Sequence, residues 1–258
     1  MFSTNTVNLE KLPELYECKV CNSSFTQNIV RENVAYEMYS QGSSADKWPR
    51  KVGLVEEKHT NIIDRLDQYF LKEKRVLDIG CNTGILLDYA RSKGCYTFGI
   101  EPSLASLEVL RNKGHIAFPS IENMTEKYDV ITAFDLIEHL YDLPKFLNHT
   151  WEHLADEGVV ILLTGDIQSL TARLSKEHWW YLKAPEHIVF PSIKYLNSIP
   201  GFKLVSVDKT FASIGYDRPY IIGLFRYAMC VFLRKKYIGL PSLGPDHVLV
   251  TLKKVDRS

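Results

Sequence analysis

The sequence predicts an α/β protein: a doubly wound, mostly parallel, seven-stranded sheet with helices on both faces and an antiparallel strand at its edge. Three observations carry that expectation. Short apolar runs rich in β-branched residues alternate with helical patterns five times between Arg75 and Leu163. The first of them, Arg75 to Ile79, enters a glycine-bearing loop, Gly80-Cys81-Asn82-Thr83-Gly84, and a helical pattern follows at once from Ile85 to Ala90. Two alternating runs, Lys203 to Lys209 and His247 to Lys253, supply further strands beyond the fifth.

Bulk properties limit the partners. A chain of 258 residues buries one good core with room for appendages. Hydrophobic content of 45% and charged content of 24% are ordinary for a soluble globular protein. Lys+Arg 31 against Asp+Glu 31 removes the basic footprint on which nucleic-acid binding relies, so no nucleic-acid partner is expected. The start, Met1 to Leu12, is polar and lacks an apolar h-region, and the five cysteines are an odd number. Reduced thiols and a cytoplasmic location follow as expectations. The most apolar stretch, Tyr220 to Leu233, is interrupted by Arg226 and is shorter than the ~20 residues that cross a bilayer.

Taken in order, residues 1–50 read as an appendage. Cys18-Lys19-Val20-Cys21 has the spacing of half a zinc site, but the second ligand pair that tetrahedral zinc requires is missing, and two unliganded cysteines in a turn are expected. Asn33 to Tyr39 is helical, and Leu54 to Phe70 forms a second helix leading into the first strand. Tyr96 to Ile100 is the next strand, Leu104 to Asn112 its helix, and Ile116 to Phe118 a short third strand. Tyr128 to Phe134 is the fourth, followed by Asp135-Leu136-Ile137-Glu138-His139-Leu140. Pro144 suits the first turn of a helix capped by Asp142 and running to about Leu154. Asp156-Glu157-Gly158 then ends that helix, and Val159 to Leu163 is the fifth strand. Ser192 caps a short helix that ends at Pro200-Gly201.

The chemistry begins at the loop. Gly80 permits a tight turn and close approach of a ligand to the backbone, and Gly84 stands where a helix N-terminus begins. Glu101 lies 21 positions after Gly80, at the tip of the second strand. An acidic residue about 20 positions on suits a pair of ribose hydroxyls, because a carboxylate accepts from both. Val76 to Gly84 with Glu101 resembles motif I and the acidic residue after strand 2 of class I S-adenosylmethionine-dependent methyltransferases. The third glycine of the dinucleotide fingerprint and a GKS or GKT P-loop are both absent. Tyr128 to Leu140 resembles the matching segment of small-molecule methyltransferases related to the ubiquinone-biosynthesis O-methyltransferases.

The resemblance implies a Rossmann-like methyltransferase domain over residues 51–258, with an acceptor-pocket insertion at 167–191 and an apolar helix insertion at 211–243. S-adenosylmethionine is the implied donor and S-adenosylhomocysteine the product. Asp78 then either fixes the glycine loop or reaches the amino group of the methionine moiety. Gly80, Cys81, Asn82 and Gly84 form the cradle, and Glu101 and Pro102 the ribose end. Ile121 packs on the adenine with Glu122 nearby, and Phe134 and Asp135 close strand 4 on the sulfonium side. In related enzymes the N-terminal helical region covers the cofactor, which brings Tyr36, Tyr39, Trp48 and Arg50 into view. Tyr16 to Thr26 resembles the second knuckle of a small zinc ribbon found ahead of some bacterial methyltransferase domains.

Methyl transfer from a sulfonium is an in-line displacement in which the protein aligns the nucleophile and takes its proton. His139 beside Glu138 and His187 beside Glu186 are the two candidate bases. Paired Glu-His segments also offer the oxygen-plus-imidazole set of a divalent ion, but no residue is assigned to a metal. Tyr220 to Leu233, followed by Arg234-Lys235-Lys236, reads as a lid or packing helix, or as an interfacial helix giving peripheral membrane contact through 220–236. The expected function is methylation of a small-molecule or glycan-type acceptor at oxygen. A catalytically silent, cofactor- or protein-binding module is the second reading. A nucleic-acid or protein methyltransferase is the third, opposed by the lack of an N-P-P-Y or D-P-P-Y motif after strand 4.

Overall fold

The computed structural model describes residues 14–27, 30–40, 62, 65–183, 185–211, 225, 228–229, 232, 242 and 244–257. Most of the expected Leu54 to Phe70 helix lies outside them, with Ile62, Arg65 and Leu66 helical. Trp48, Arg50 and nearly all of Tyr220 to Lys236 lie outside as well.

Seven strands form the main sheet: β3 (Arg75–Ile79), β4 (Tyr96–Ile100), β5 (Ile116–Phe118), β6 (Tyr128–Phe134), β7 (Leu154–Gly165), β9 (Phe202–Thr210) and β10 (His247–Lys254). Their spatial order is β5-β4-β3-β6-β7-β10-β9. The pairs β3–β4, β3–β6, β4–β5 and β6–β7 are parallel, and β10 runs antiparallel between β7 and β9. The order reverses at β3, so the loops after β3 and β6 open at a topological switch point, where open α/β sheets take their ligands.

Period-two patterning explains why both faces are covered. Along β7, Val160 and Leu162 join one core with Leu143, Phe146 and Leu147 of helix α4 (Leu143–His153). Val159, Ile161 and Leu163 join the other, with Leu86 and Ala90 of α2 (Ile85–Ser92) and with Ile62, Leu66 and Phe70. Ile62, Leu66 and Phe70 fall at i, i+4 and i+8, one stripe of a helix. Each such fully buried aliphatic side chain contributes about 1.5–3 kcal/mol. Helix α4 starts as expected: Asp142 Oδ1 accepts from the Lys145 N–H at 2.8 Å, and Pro144 lies in the first turn. Helix α3 (Leu104–Asn112) is capped by Ser103.

One boundary differs from expectation. In sequence, Asp156-Glu157-Gly158 reads as a helix terminus, yet β7 already begins at Leu154, opposite Tyr128. The chain bulges through Glu157 (φ 62°) and resumes pairing at Val159 opposite Val130. The turn residues thus make a bulge within the strand.

A second sheet joins distant parts of the chain. Hairpin β1 (Leu15–Glu17) and β2 (Ser24–Thr26) pairs with β8 (Val189–Phe190), in the order β1-β2-β8. Ser24 lies opposite Phe190 and Phe25 opposite Val189. The N-terminal hairpin is thereby fastened to the 167–191 insertion. Helix α1 (Glu32–Ser40) buries no residue, and its neighbour Val30 accepts from the Tyr141 hydroxyl at 2.7 Å. Helix α5 (Leu170–Ser175) lies in the insertion, and α6 (Ile193–Leu196) starts at Ser192, whose hydroxyl accepts from the Tyr195 N–H at 3.0 Å.

Candidate functional site

Two groups of residues meet at the carboxyl edge of the sheet. The first is the loop after β3. Gly80 and Gly84 take φ of 77° and 81°, and Asn82 is at 48°, backbone conformations that favour glycine and tolerate asparagine. A Cβ on Gly84 would lie 2.5 Å from Leu110 Cδ2, so the turn into α2 also needs glycine for packing. Glu101 is the clasp of the loop: Oε2 accepts from the Asn82 N–H at 3.0 Å and Oε1 from the Ser103 N–H at 2.9 Å. Burial pushes its carboxyl up, opposed by these two bonds. Each oxygen keeps accepting capacity beyond one N–H, and the residue is half-exposed.

Asp78 is buried beneath the loop, and Thr132 of β6 donates to its Oδ1 at 2.7 Å. Burial, with a smaller contribution from the Glu101 charge, raises it to about 7. Cys81 faces away from the loop. Its Sγ fills the space left by Gly99, where a Cβ would be 2.7 Å away, and burial pushes the thiol well up. Only the backbone of Cys81 is left to meet a ligand. Below, His115 bridges Thr97 and Asp88 at 2.8 and 3.0 Å, while Lys113 donates to the Thr83 carbonyl and to Asp88, each at 2.7 Å. Pro102 is half-buried, Ile121 packs beside the core in a single 3-10 turn, and Phe134 packs on the second core.

The second group follows β6. Asp135 adopts φ 48°, and Glu138 is fully buried. Thr164 donates to Glu138 Oε2 at 2.9 Å, the Tyr181 hydroxyl meets Glu138 Oε1, and Tyr181 also meets Asp135 Oδ1 at 2.9 Å. One hydroxyl hydrogen cannot serve two carboxylates. Burial first, then the Asp135 charge, raises Glu138 to about 7, so it is the carboxyl that carries a proton and completes the chain through Tyr181 to Asp135.

His139 and His187 come together, their ring centroids 4.6 Å apart. The Glu186 carbonyl lies 2.9 Å from His139 Nδ1. A carbonyl only accepts, so Nδ1 carries the hydrogen and Nε2 keeps the lone pair. The Tyr39 oxygen is 3.0 Å from the same Nδ1, which places α1 over this histidine. Burial lowers His139, and burial together with the His139 charge lowers His187 well below the ordinary value. Both rings are therefore neutral at pH 7. His187 is buried against Tyr181, centroids 4.4 Å apart.

Glu138, His139 and His187 bring one carboxylate and two imidazoles within 4.8 Å. The composition suits a divalent ion, but both Glu138 oxygens are already bonded to Thr164 and Tyr181. Among the described residues, Cys18 and Cys21 in the β1–β2 turn join no group of three potential ligands. Backbone hydrogen bonds, first from Cys21, lower the Cys18 thiol.

Residues 54–206, more than half of the sequence, match the family described as "Methyltransferase domain". The chain belongs to the methyltransferase-domain family. The matched stretch is a class I S-adenosylmethionine-dependent methyltransferase domain, the kind that takes S-adenosylmethionine as cofactor. Similar curated proteins include the ubiquinone biosynthesis O-methyltransferases of Rhodopseudomonas palustris strain BisB5 (30% identical over 99 residues, 35% of this chain and 39% of that protein) and Pasteurella multocida strain Pm70 (32% over 114 residues, 36% and 47%). The chain thus spans less than half the length of these relatives. Among solved structures, it resembles magnesium protoporphyrin IX methyltransferase from Synechocystis PCC 6803 with bound S-adenosylhomocysteine (TM-score 0.60, 14% identity, 87% of this chain and 100% of that one). Coclaurine N-methyltransferase is similar at TM-score 0.53 and 16% identity, over 75% and 72%. Those two likenesses concern the fold.

In this methyltransferase frame, Gly80, Asn82, Gly84 and Glu101 are gathered at the switch point, while Asp78 and Cys81 support them from beneath. The second group and the residues packed behind it contain members that sequence reading passed over: Thr164, Asp246 and His247, with Tyr181 noted only as an aromatic of the 167–191 stretch. Their signal was positional. Thr164 follows the fifth apolar run, and Asp246 and His247 stand at the start of the last strand, at the same edge.

Proposed function

We propose that the enzyme transfers the methyl group of S-adenosylmethionine to an oxygen of a small-molecule or glycan-type acceptor, held over the ends of β6 and β7 beneath the 167–191 insertion. The bound donor supplies a methyl group on positively charged sulfur, activated for displacement. Glu101 holds the ribose hydroxyls, and Gly80 to Gly84 admit the donor to the backbone. Pro102 and Ile121 line the nucleoside end, and Phe134 and Asp135 the sulfonium end. His139 takes the acceptor's proton on Nε2, and the buried His187 forms the wall behind it.

The observation that carries this reading is the neutral His139–His187 pair at the end of β6, with His139 fixed through Nδ1 by the Glu186 carbonyl. A weakly basic amine acceptor needs no base, whereas a hydroxyl gains from one. The O-methyltransferase names of the relatives are consistent with it over the matched segment. The test is incubation with S-adenosylmethionine and a panel of phenols, sugar hydroxyls and amines, with mass spectrometry of the products. Methylated hydroxyls support the reading. Exclusive methylation of amines, or of protein or nucleic acid added in parallel, sinks it.

The proposed location is the cytoplasm. No described helix is long and apolar enough to cross a membrane, and peripheral contact through 220–236 is the proposed link to lipid-borne acceptors. Phe225 and Phe232 are strongly exposed, as an apolar face meeting an interface requires. Vesicle co-sedimentation with and without Phe232→Ser tests it, and equal recovery of both proteins would remove the membrane from the account.

A further inference from the structure

Asp135 stands on the border between the donor loop and the acceptor wall. Leu136, next to it, lies against Gly80, whose Cβ position is 3.3 Å from Leu136 Cδ1. The Asp135 side chain is 23% exposed, while the groups behind it are buried. Two of them converge on Oδ1: the Tyr181 hydroxyl at 2.9 Å and His247 Nε2 at 3.9 Å.

His247 is fully buried, and its Nε2 makes no hydrogen bond among the described residues. Its Nδ1 lies 3.1 Å from Asp246 Oδ1. The other Asp246 oxygen accepts from Trp179 Nε1 at 3.3 Å, Trp180 Nε1 at 2.6 Å and the Ser242 hydroxyl at 2.6 Å. Those donors and His247 together hold Asp246 below the ordinary carboxylate range against its burial, so Nδ1 carries the hydrogen. The bare Nε2 then faces Asp135. Trp180 stacks on the ring at 5.7 Å and Tyr181 crosses it at 4.3 Å. The backbone neighbours of His247 are Gly165 on β7 and Thr210 on β9. Asp246 and Asp135 are therefore the carboxylates that face this imidazole, with Tyr181 as the titratable neighbour from the insertion. Leaving a buried nitrogen without a hydrogen bond is costly, so the contacts from Asp246, Trp180 and Tyr181 are what hold the ring against Asp135.

We infer that Asp135 is the counter-charge of the donor's sulfonium, and that His247, oriented by Asp246, is the positioning residue that braces Asp135 from behind. The inference rests on the donor reading above and deepens it. S-adenosylmethionine carries a positive sulfur and S-adenosylhomocysteine does not. A fixed carboxylate at this border favours the charged donor over the spent product, which promotes their exchange after transfer.

Calorimetric titration with S-adenosylmethionine and with S-adenosylhomocysteine, run separately, tests this. Asp135→Asn should weaken donor binding about tenfold while product binding stays within about twofold, the scale for unit charges several ångströms apart at a partly wet site. Asp135→Ser is the second variant if the first fails to fold. His247→Gln leaves Asp135 in place and should shrink the donor-to-product preference while product binding stays within about twofold. Equal weakening of both ligands by the Asp135 variants, or a donor-to-product preference unchanged in His247→Gln, would overturn the inference. If wild-type protein bound neither ligand, the donor reading itself would fall.

Discussion

Replacing Glu101 by alanine removes a carboxylate that joins the glycine loop to the start of α3. In the free protein it frees the Asn82 and Ser103 N–H groups, bonded at 3.0 and 2.9 Å. In the proposed complex it also removes the acceptor assigned to the ribose hydroxyls. A hydrogen bond to a charged group contributes about 1.5–3 kcal/mol, so the dissociation constant for S-adenosylmethionine should rise between roughly tenfold and 150-fold. The loss should be similar for S-adenosylhomocysteine, because both ligands present the same ribose. Glu101→Gln is a sharper perturbation. Its amide nitrogen must face either the Asn82 or the Ser103 N–H, setting donor against donor, and the loss should approach that of alanine. Burial already raises the Glu101 carboxyl, so the stability of the free protein should change far less than the affinity. Isothermal titration with both ligands, beside a thermal melt of each variant, is the assay. Unchanged affinity with an intact fold would refute the assignment of Glu101 to the ribose.

The remaining predictions concern the acceptor side and the frame. His139→Gln should lower kcat by roughly 100-fold or more, within the range for a general base, with donor affinity retained; steady-state release of S-adenosylhomocysteine reads the first and calorimetry the second. Glu138 is raised from 4.5 to about 7, so the stability linked to its proton is present below its ordinary value and is lost as pH rises through about 7. Glu138→Gln should flatten that decline and stabilise the protein above neutrality by roughly 1–3 kcal/mol; denaturant melts across pH check it, and parallel curves for the two proteins would contradict it. Gly84→Ala puts a Cβ 2.5 Å from Leu110 Cδ2 at φ 81° and should destabilise by about 1–3 kcal/mol while loosening donor binding.

The geometry of the glycine loop and Glu101 was legible because its information is local. A strand, two glycines and an acidic residue 21 positions on lie within one β-α-β stretch, and the chain has little choice in how to join them. Cys81 shows the limit: its place in the loop was readable, but its direction was decided by Gly99 on the neighbouring strand, whose missing side chain makes room for sulfur. The acceptor half depends on long-range contacts. Tyr181 reaches Glu138 across 43 positions and His139 meets the Glu186 carbonyl across 47. His247 meets Asp135 only because β10 is inserted antiparallel beside β7. The N-terminal hairpin was readable as a turn carrying Cys18 and Cys21, while its pairing with β8 on the insertion was not, since two short strands specify no partner by pattern alone. Asp156-Glu157-Gly158 misled for the opposite reason, because turn chemistry also serves a bulge.

A thermal-shift comparison of S-adenosylmethionine, S-adenosylhomocysteine and NAD is the most direct test of the central claim. A ligand that binds only the folded state raises the melting temperature by mass action. The loop at Gly80 to Gly84 with Glu101 predicts stabilisation by the first two and none by NAD. A rise with NAD alone would contradict the donor site and the mechanism built on it.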